Sequence, residues 1–505
     1  MLLNQSIPLL FATPSAASSR RGIVFSLLIL SFAIIVYIGS ESLESVPFFF
    51  IITILIGLHG YICLITTGSN LLYIFRYFLV WILIFATALI WFLYNGEIVV
   101  APFGLKYQTI ENTRLLILAG ICSLCGSLIG WHFVLLRYKY RQNIDFIISI
   151  KKQKISLRNA GVFLSVSSAL LFVWKSGGIV GSEKTYADGQ LGFTLAVNVF
   201  NIFHFIGISL LLLAGIKENR IEVRNIFFAI LTLVPGMLTG SRADYLPQAF
   251  IVFILVFNSQ IMYAFTKRQY MKIVKLILIV TLLLIIAYLI ASFIALWRIG
   301  IDPMQALNMI FKSDNGFFIN TNYGHKLLWL ETGNHMLGGL YSAIIKVDQG
   351  FLFGKSYFDY ILILPPAFLD LPRPLGLEWL TDINGETMTQ GGIFEVAEAY
   401  WNFGLIGCFF VSFIISYVFG WLLQRGLKGN NYFYLVWYMV YGLHSFRSVW
   451  YQNFAYVRLM TVMLVVYFVG LFLFRWFIFD RNTKNEFGRS VILDKLREEN
   501  LRQPT

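Results

Sequence analysis

The sequence predicts an all-α polytopic membrane protein with about twelve transmembrane helices and one large helical loop on its outer side. Three observations carry that prediction. The 505-residue chain is 58% hydrophobic and only 13% charged, whereas soluble domains carry about 25% charge. Apolar stretches long enough to cross a bilayer as helices recur from one end of the chain to the other. These stretches are continuous, where the strands of a membrane β-barrel would alternate over about ten residues. A soluble enzyme, a disordered chain and a single-span receptor are excluded on the same grounds.

The expected spans are 23–39, 46–66, 72–94, 115–136, 159–174, 191–215, 225–239, 245–264, 276–297, 396–424, 431–446 and 455–474. The net charge of +13 sets their direction. With Arg20 and Arg21 in the cytoplasm, cytoplasmic segments hold 25 Lys/Arg and 8 Asp/Glu, outer segments hold 13 and 18 when Arg458 and Glu398 at the outer ends of their spans are counted with them, and Arg76 lies inside the third span. Positive charge therefore gathers inside, as topology rules require. The basic balance is a membrane-orientation signal and gives no reason to expect nucleic acid. The strongest anchors are 137–158, 217–224, 267–275 and the tail from Arg475. Both termini are expected in the cytoplasm, and span one reads as an uncleaved signal anchor, since no small-residue cleavage site follows it.

The expected organisation is then 1–297 for spans one to nine, 298–395 for the outer cap loop, 396–475 for the last three spans, and 476–505 for a basic tail. Cys63, Cys122, Cys125 and Cys408 all fall inside spans. Cys122 and Cys125 have C-x-x-C spacing but no second ligand pair, so they read as small packing residues and not as a zinc or redox site.

Three outer-side features break the monotony. The loop 298–395 holds Pro303, Pro365, Pro366, Pro372 and Pro374 with many aromatics. From His325 to Val347 its apolar residues have helical spacing, which predicts amphipathic helices at the interface. Span seven is interrupted by Pro235-Gly236 just before Thr239-Gly240-Ser241-Arg242-Ala243-Asp244, and Pro247 opens the next span. A helix broken near 235–247 is tolerated only where it faces protein or water, and an arginine beside the amides of a helix start suits an anion. Lastly, Glu395, Glu398 and Asn402 stand at i, i+3 and i+7 and share one helix face at the edge of a span. Carboxylates there are expensive and are a functional expectation by default.

Together these stretches resemble the bacterial O-antigen and capsule polymerases of the Wzy type, the oligosaccharide repeat unit polymerases. The resemblance rests on Thr239-Gly240-Ser241-Arg242, on Gly354-Lys355-Ser356-Tyr357 with Pro365-Pro366 and Pro372-Arg373-Pro374, and on Glu395 to Gly407 read as E-x-x-E-x-Y-x-N-F-G-x-x-G. It covers about residues 160–460. It implies a GT-C-like bundle in the bacterial cytoplasmic (inner) membrane. There, a chain on polyprenyl pyrophosphate would be transferred onto the non-reducing end of a new lipid-linked repeat unit at the outer face. Donor and acceptor would both be polyprenyl-pyrophosphate-linked oligosaccharides, with membrane lipids, a chain-length regulator and a flippase as partners and no cofactor.

The residues suit that chemistry. A pyrophosphate leaving group needs fixed positive charge, and guanidinium forks bind phosphate oxygens bidentately. Arg242, Arg298, Arg373 and Arg447, with Ser241, are the candidates, and Arg114 is a marginal one. Arg298 and Arg447 could equally snorkel to headgroups. A base to take the acceptor's hydroxyl proton would come from Glu398, Glu395, Asp244, His325 or His335, while His444 reads as a phosphate contact. Glu398 has the rival role of pairing with an arginine. Tyr323, Tyr400 and Asn402 are candidate sugar contacts, against the alternative of an interfacial aromatic belt. The outer loops have no dense acidic cluster, so transfer is expected to be metal-independent. Two alternatives remain. One is an O-antigen ligase. The other is a flippase or transporter, disfavoured because the polar residues are concentrated on one side instead of repeated in two halves.

Overall fold

The computed structural model of the protein describes residues 13–41, 45–67, 70–93, 109–136, 144–175, 195–217, 339–368, 394–429, 431–451 and 459–469, with shorter pieces between them. Its helices are α1 (Ala16–Ile38), α2 (Ser45–Thr67), α3 (Leu71–Leu93), α4 (Ile110–Leu136), α5 (Ile144–Lys175), α6 (Leu195–Ala214), α7 (Lys355–Phe368), α8 (Glu395–Gly429) and α9 (Tyr432–Tyr451). Two small antiparallel pairs accompany them. β1 (Ile216–Lys217) lies beside β2 (Arg220–Ile221), and β3 (Ile319–Thr321) beside β4 (Gly324–Lys326). Contacts divide the chain at Arg458, and the unit beyond it holds the apolar helix Leu459–Val469.

This is a helical membrane protein. Among the described residues, five helices are long and apolar enough to cross a bilayer: Ala16–Ile38, Val46–Thr67, Leu71–Leu93, Ile110–Leu136 and Glu395–Lys428. They match five of the expected spans, and α5, α6 and α9 cover three more positions. The expected spans at 225–239, 245–264 and 276–297 lie largely outside the described residues. The structure adds length to α5, which begins at Ile144 and so takes in Lys151, Lys152, Lys154 and Arg158. Lys, Arg and Gln are good helix formers, so the basic anchor continues the helix.

At the centre stands α4, buried on nearly all sides. In lipid, helices gain little from the hydrophobic effect and associate through close packing of small residues. The sequence of α4 supplies them. A Cβ on Gly126 would lie 2.1 Å from the carbonyl oxygen of Phe409, and one on Gly130 would lie 2.3 Å from that of Phe413. The same stripe pairs Ser123 with Ser412 and Ser127 with Ser416, each at 2.7 Å between hydroxyls. Equal steps in the same direction on both helices mean that α4 and this part of α8 run parallel. A second glycine contact joins α5 to α6, where a Cβ on Gly207 would lie 2.5 Å from the amide nitrogen of Ser165. Aromatic rings fill the spaces farther along. Tyr73 stacks on Trp131 at 4.2 Å, and Phe419 stacks on Tyr438 at 4.6 Å.

The span expected at 396–424 is not a straight rod. At Phe403 (φ −145°, ψ 17°) and Gly404 (φ 64°, ψ −151°) α8 leaves helical geometry. Cys408 Sγ lies 3.6 Å from the carbonyl oxygen of Val396, and a Cβ on Gly407 would sit 2.3 Å from that of Ala399. In a straight helix Val396 and Cys408 would be about 18 Å apart. The two turns from Glu395 to Asn402 therefore fold back as a short arm against the span that begins after Gly404. Only glycine is at ease at that φ and ψ, so Gly404→Ala should cost about 1–3 kcal/mol. Thermal unfolding in detergent would register this as a clear drop in midpoint. An unchanged midpoint would mean that the reversal is not maintained.

The cap loop is also rearranged relative to expectation. His325 lies in β4, in register with Asn320, and not in a helix. Among the described residues of this stretch, 339–346 are helical, and Leu340, Tyr341, Ala343 and Ile344 are buried there; 327–338 lie outside the described residues. Tyr341 shares a 2.6 Å hydrogen bond with Thr113 at the start of α4. Burial pushes its phenol up to about 12 although that bond works the other way, and the ring is a packing element.

Candidate functional site

Two polar clusters meet along the folded-back arm, one at each end. The first surrounds Arg76. This residue is 1% exposed, on a helix with no other charged group. A guanidinium buried among apolar helices is tolerable only if its donors are met. Here each nitrogen donates. Nη2 reaches Glu395 Oε1 at 3.0 Å and Oε2 at 3.3 Å, and Nε reaches the Tyr456 hydroxyl at 2.8 Å. Nη1 reaches Ser127 at 3.4 Å and Ser416 at 3.3 Å. Glu395 and Ser416 would be about 31 Å apart on a straight helix, and only the reversal at Gly404 lets one guanidinium hold both. The ring of Tyr456 lies 5.8 Å below the guanidinium carbon and stacks on Tyr441 at 4.6 Å.

The second cluster lies where the arm meets the loop before α7. The last carbonyls of a helix lack intrahelical donors, and this loop supplies them. The Leu352 amide donates to the Trp401 carbonyl at 3.1 Å, and the Phe353 amide donates to that of Asn402 at 3.2 Å. The Gly354 amide donates to Asn402 Oδ1 at 2.8 Å. Three consecutive amides can point one way because the backbone is bent hard, with positive φ at Gly350, Phe353 and Gly354. For Phe353, at φ 46°, this costs roughly 1–2 kcal/mol. Strain of this kind persists only where the surroundings over-determine it.

Side chains complete the second cluster. The Ser356 hydroxyl donates to Glu398 Oε1 at 2.7 Å and accepts from Asn402 Nδ2 at 2.8 Å. Asn402 Nδ2 also reaches the Glu398 carbonyl at 2.9 Å. Ser356, Glu398 and Asn402 are all fully buried. Chemically, this is a carboxylate holding a hydroxyl at proton-transfer distance, with an amide fixing the orientation of that hydroxyl.

Among the residues anticipated from sequence, Glu395, Glu398 and Asn402 lie on the arm. Glu395 pairs with Arg76, and Glu398 holds Ser356. Tyr400 is also on the arm and buried. Arg447 lies in α9, and His325 in β4; their side chains are outside the described residues. Ser241, Arg242, Asp244, Arg298, Tyr323, His335 and Arg373 fall wholly outside them, as does the break near 235–247. His444 is buried with Phe205 edge-on at 5.8 Å. Arg114 donates to the Ser40 carbonyl at 2.8 Å and lies over the ring of Phe48, tying α4 to the end of α1. Among the described residues no group of three His, Cys, Asp or Glu side chains could hold a metal ion.

Sequence reasoning passes over Arg76, which enters only the charge balance. A lone arginine within an apolar span is the available signal. Ser356 is visible within a quoted motif but has no role there. No known protein family, curated protein or solved structure matches the chain.

Proposed function

We propose that the chain is a polymerase of lipid-linked oligosaccharide repeat units, a metal-independent glycosyltransferase with about twelve spans and a GT-C-like bundle. On this reading it works at the outer face of the bacterial cytoplasmic membrane with both termini inside, alongside a chain-length regulator and a flippase. One observation carries the reading. The stretch Gly354-Lys355-Ser356-Tyr357 and the stretch Glu395 to Gly407, which separately resemble the polymerase family, meet through Ser356, Glu398 and Asn402. They are 42 positions apart between Ser356 and Glu398, so chance proximity along the chain does not bring them together.

In the proposed reaction the acceptor sugar's hydroxyl oxygen bonds to the anomeric carbon of the growing chain. The bond from that carbon to pyrophosphate breaks, and the hydroxyl proton passes to a carboxylate. Glu398 holds the Ser356 hydroxyl as it would hold an acceptor hydroxyl, with Asn402 and Tyr400 beside it. Arg242, Arg298, Arg373 and Arg447, with Ser241, are assigned to the departing pyrophosphate. Tyr323 is assigned to sugar, and Asp244, His325 and His335 stand as further groups able to move the proton.

Deletion followed by gel separation of surface polysaccharide tests this. A polymerase defect leaves lipid carrying a single repeat unit. A ligase defect leaves no capped lipid and strands polymer on its carrier, and a flippase defect leaves neither. Glu398→Gln should reproduce the deletion while the protein still accumulates in the membrane. Normal polymer ladders from that variant would remove Glu398 from the site.

A further inference from the structure

We infer that Arg76 is a positioning residue for the Glu398–Ser356–Asn402 cluster, acting through Glu395 on the folded-back arm. The arm is only two turns long. A helix that short has no stability of its own in isolation, so its place is set by what grips it. At the Asn402 end it is gripped by the loop amides and Ser356. At the other end the grip is Arg76, whose guanidinium meets both oxygens of Glu395 and is itself fixed by Ser127 on α4, Ser416 on α8 and Tyr456.

Glu395 and Glu398 are one turn apart, so rotation or sliding of the arm moves both carboxylates together. With Gly404 as a pivot and no side chain there to resist, an arm released at Glu395 is free to turn. Glu398 would then lose its register with Ser356. The neighbouring polar groups support the same assignment. Ser127 and Ser416 already bond each other across α4 and α8 at 2.7 Å, so Arg76 ties the arm to a contact that exists without it. The arrangement of the arm stands whatever the chain's activity; the shorter polymer expected when Arg76 and Glu395 are replaced rests on the polymerase reading.

The test uses two disulfide reporters in the full chain, with the native cysteines that a reporter does not use changed to alanine. The arm reporter, Val396→Cys with the native Cys408, whose sulfur lies 3.6 Å from the Val396 carbonyl oxygen, follows the arm against its span and leaves Ser356, Glu398 and Asn402 intact. The bundle reporter, Ser123→Cys with Ser412→Cys, follows the contact between α4 and α8. Each is oxidised in membranes and read by gel. The informative variant is the neutral pair Arg76→Met with Glu395→Met, which leaves no lone buried charge to unfold the bundle. The expected result is at least a tenfold fall in the arm cross-link with the bundle cross-link retained. Arg76→Lys, which keeps the charge opposite Glu395, should restore most of the arm cross-link. Two results overturn the inference: an unchanged arm cross-link in the neutral pair, or a parallel loss of both cross-links. Polymer length measured on the same variants without reporters separates the two claims. A released arm in a chain whose deletion leaves polymer unaffected would sink the polymerase reading and leave the positioning role standing.

Discussion

Glu395→Leu alone should destabilise the protein by about 3–5 kcal/mol, and Arg76→Leu should do the same. Each strands one buried charge whose partner is gone. The double substitution Arg76→Leu with Glu395→Leu should recover most of that loss, because a well-packed apolar pair avoids the desolvation that ions suffer in a dry interior. Unfolding midpoints of the four chains in one detergent, completed as a double-mutant cycle, give the coupling directly. Additive losses would mean that the pair is reached by water and that the enclosure seen around Arg76 is not the working state. The contrast with the arm reporters is informative. The neutral pair is expected to be stable and mispositioned, which separates what the ions do for the fold from what they do for the site.

The second large effect belongs to the contact between α4 and α8. Gly126→Leu or Gly130→Leu should each cost about 3 kcal/mol, the upper end for overpacking. The atoms a side chain would strike are the backbone carbonyls of Phe409 and Phe413, at 2.1 and 2.3 Å from the Cβ position. A flexible side chain could swing away, but a carbonyl can move only if the helix moves. The hydroxyl bonds Ser123–Ser412 and Ser127–Ser416 would be pulled open with it. Gly39→Leu is the control, since nothing lies within 4 Å of its Cβ position. Equal losses at Gly39 and Gly126 would refute the close-packing account.

How far the sequence alone reached depended on which physical signal was strong. Apolar length placed α2 and α3 to within a residue at each end, because a bilayer sets the length a span must have, whereas α1 and α4 begin earlier than expected, at Ala16 and Ile110, where the sequence is more polar. The reversal in α8 was hidden because Phe403-Gly404 lies within a stretch long and apolar enough for one straight helix. A single glycine in such a run is usually tolerated without a break. The partnership of Arg76 was hidden for a different reason. Hydropathy registers a lone arginine as a cost but has no means of naming a partner 319 residues away. Glu398 and Asn402 were legible because carboxylates at a span edge are rare. Their true neighbour Ser356 was not, since serine is ordinary in any loop and only the fold brings it to them. The G-x-x-x-G spacing of Gly126 and Gly130 went unread, and their partner helix is identified only by the structure.

The ion pair also has a consequence for how this protein is made. Arg76 enters the membrane early in synthesis, long before its partner carboxylate exists. Even at a span centre an arginine costs only about 2.5–3.5 kcal/mol on insertion, and Arg76 lies near one end of its helix, while Leu, Ile, Phe and Val each return about 0.3–0.6. The third span carries six Leu, four Ile, four Phe and one Val, enough to enter on its own and wait. Any chain truncated before Glu395 would keep that guanidinium in the membrane without the carboxylate that meets it in the complete fold.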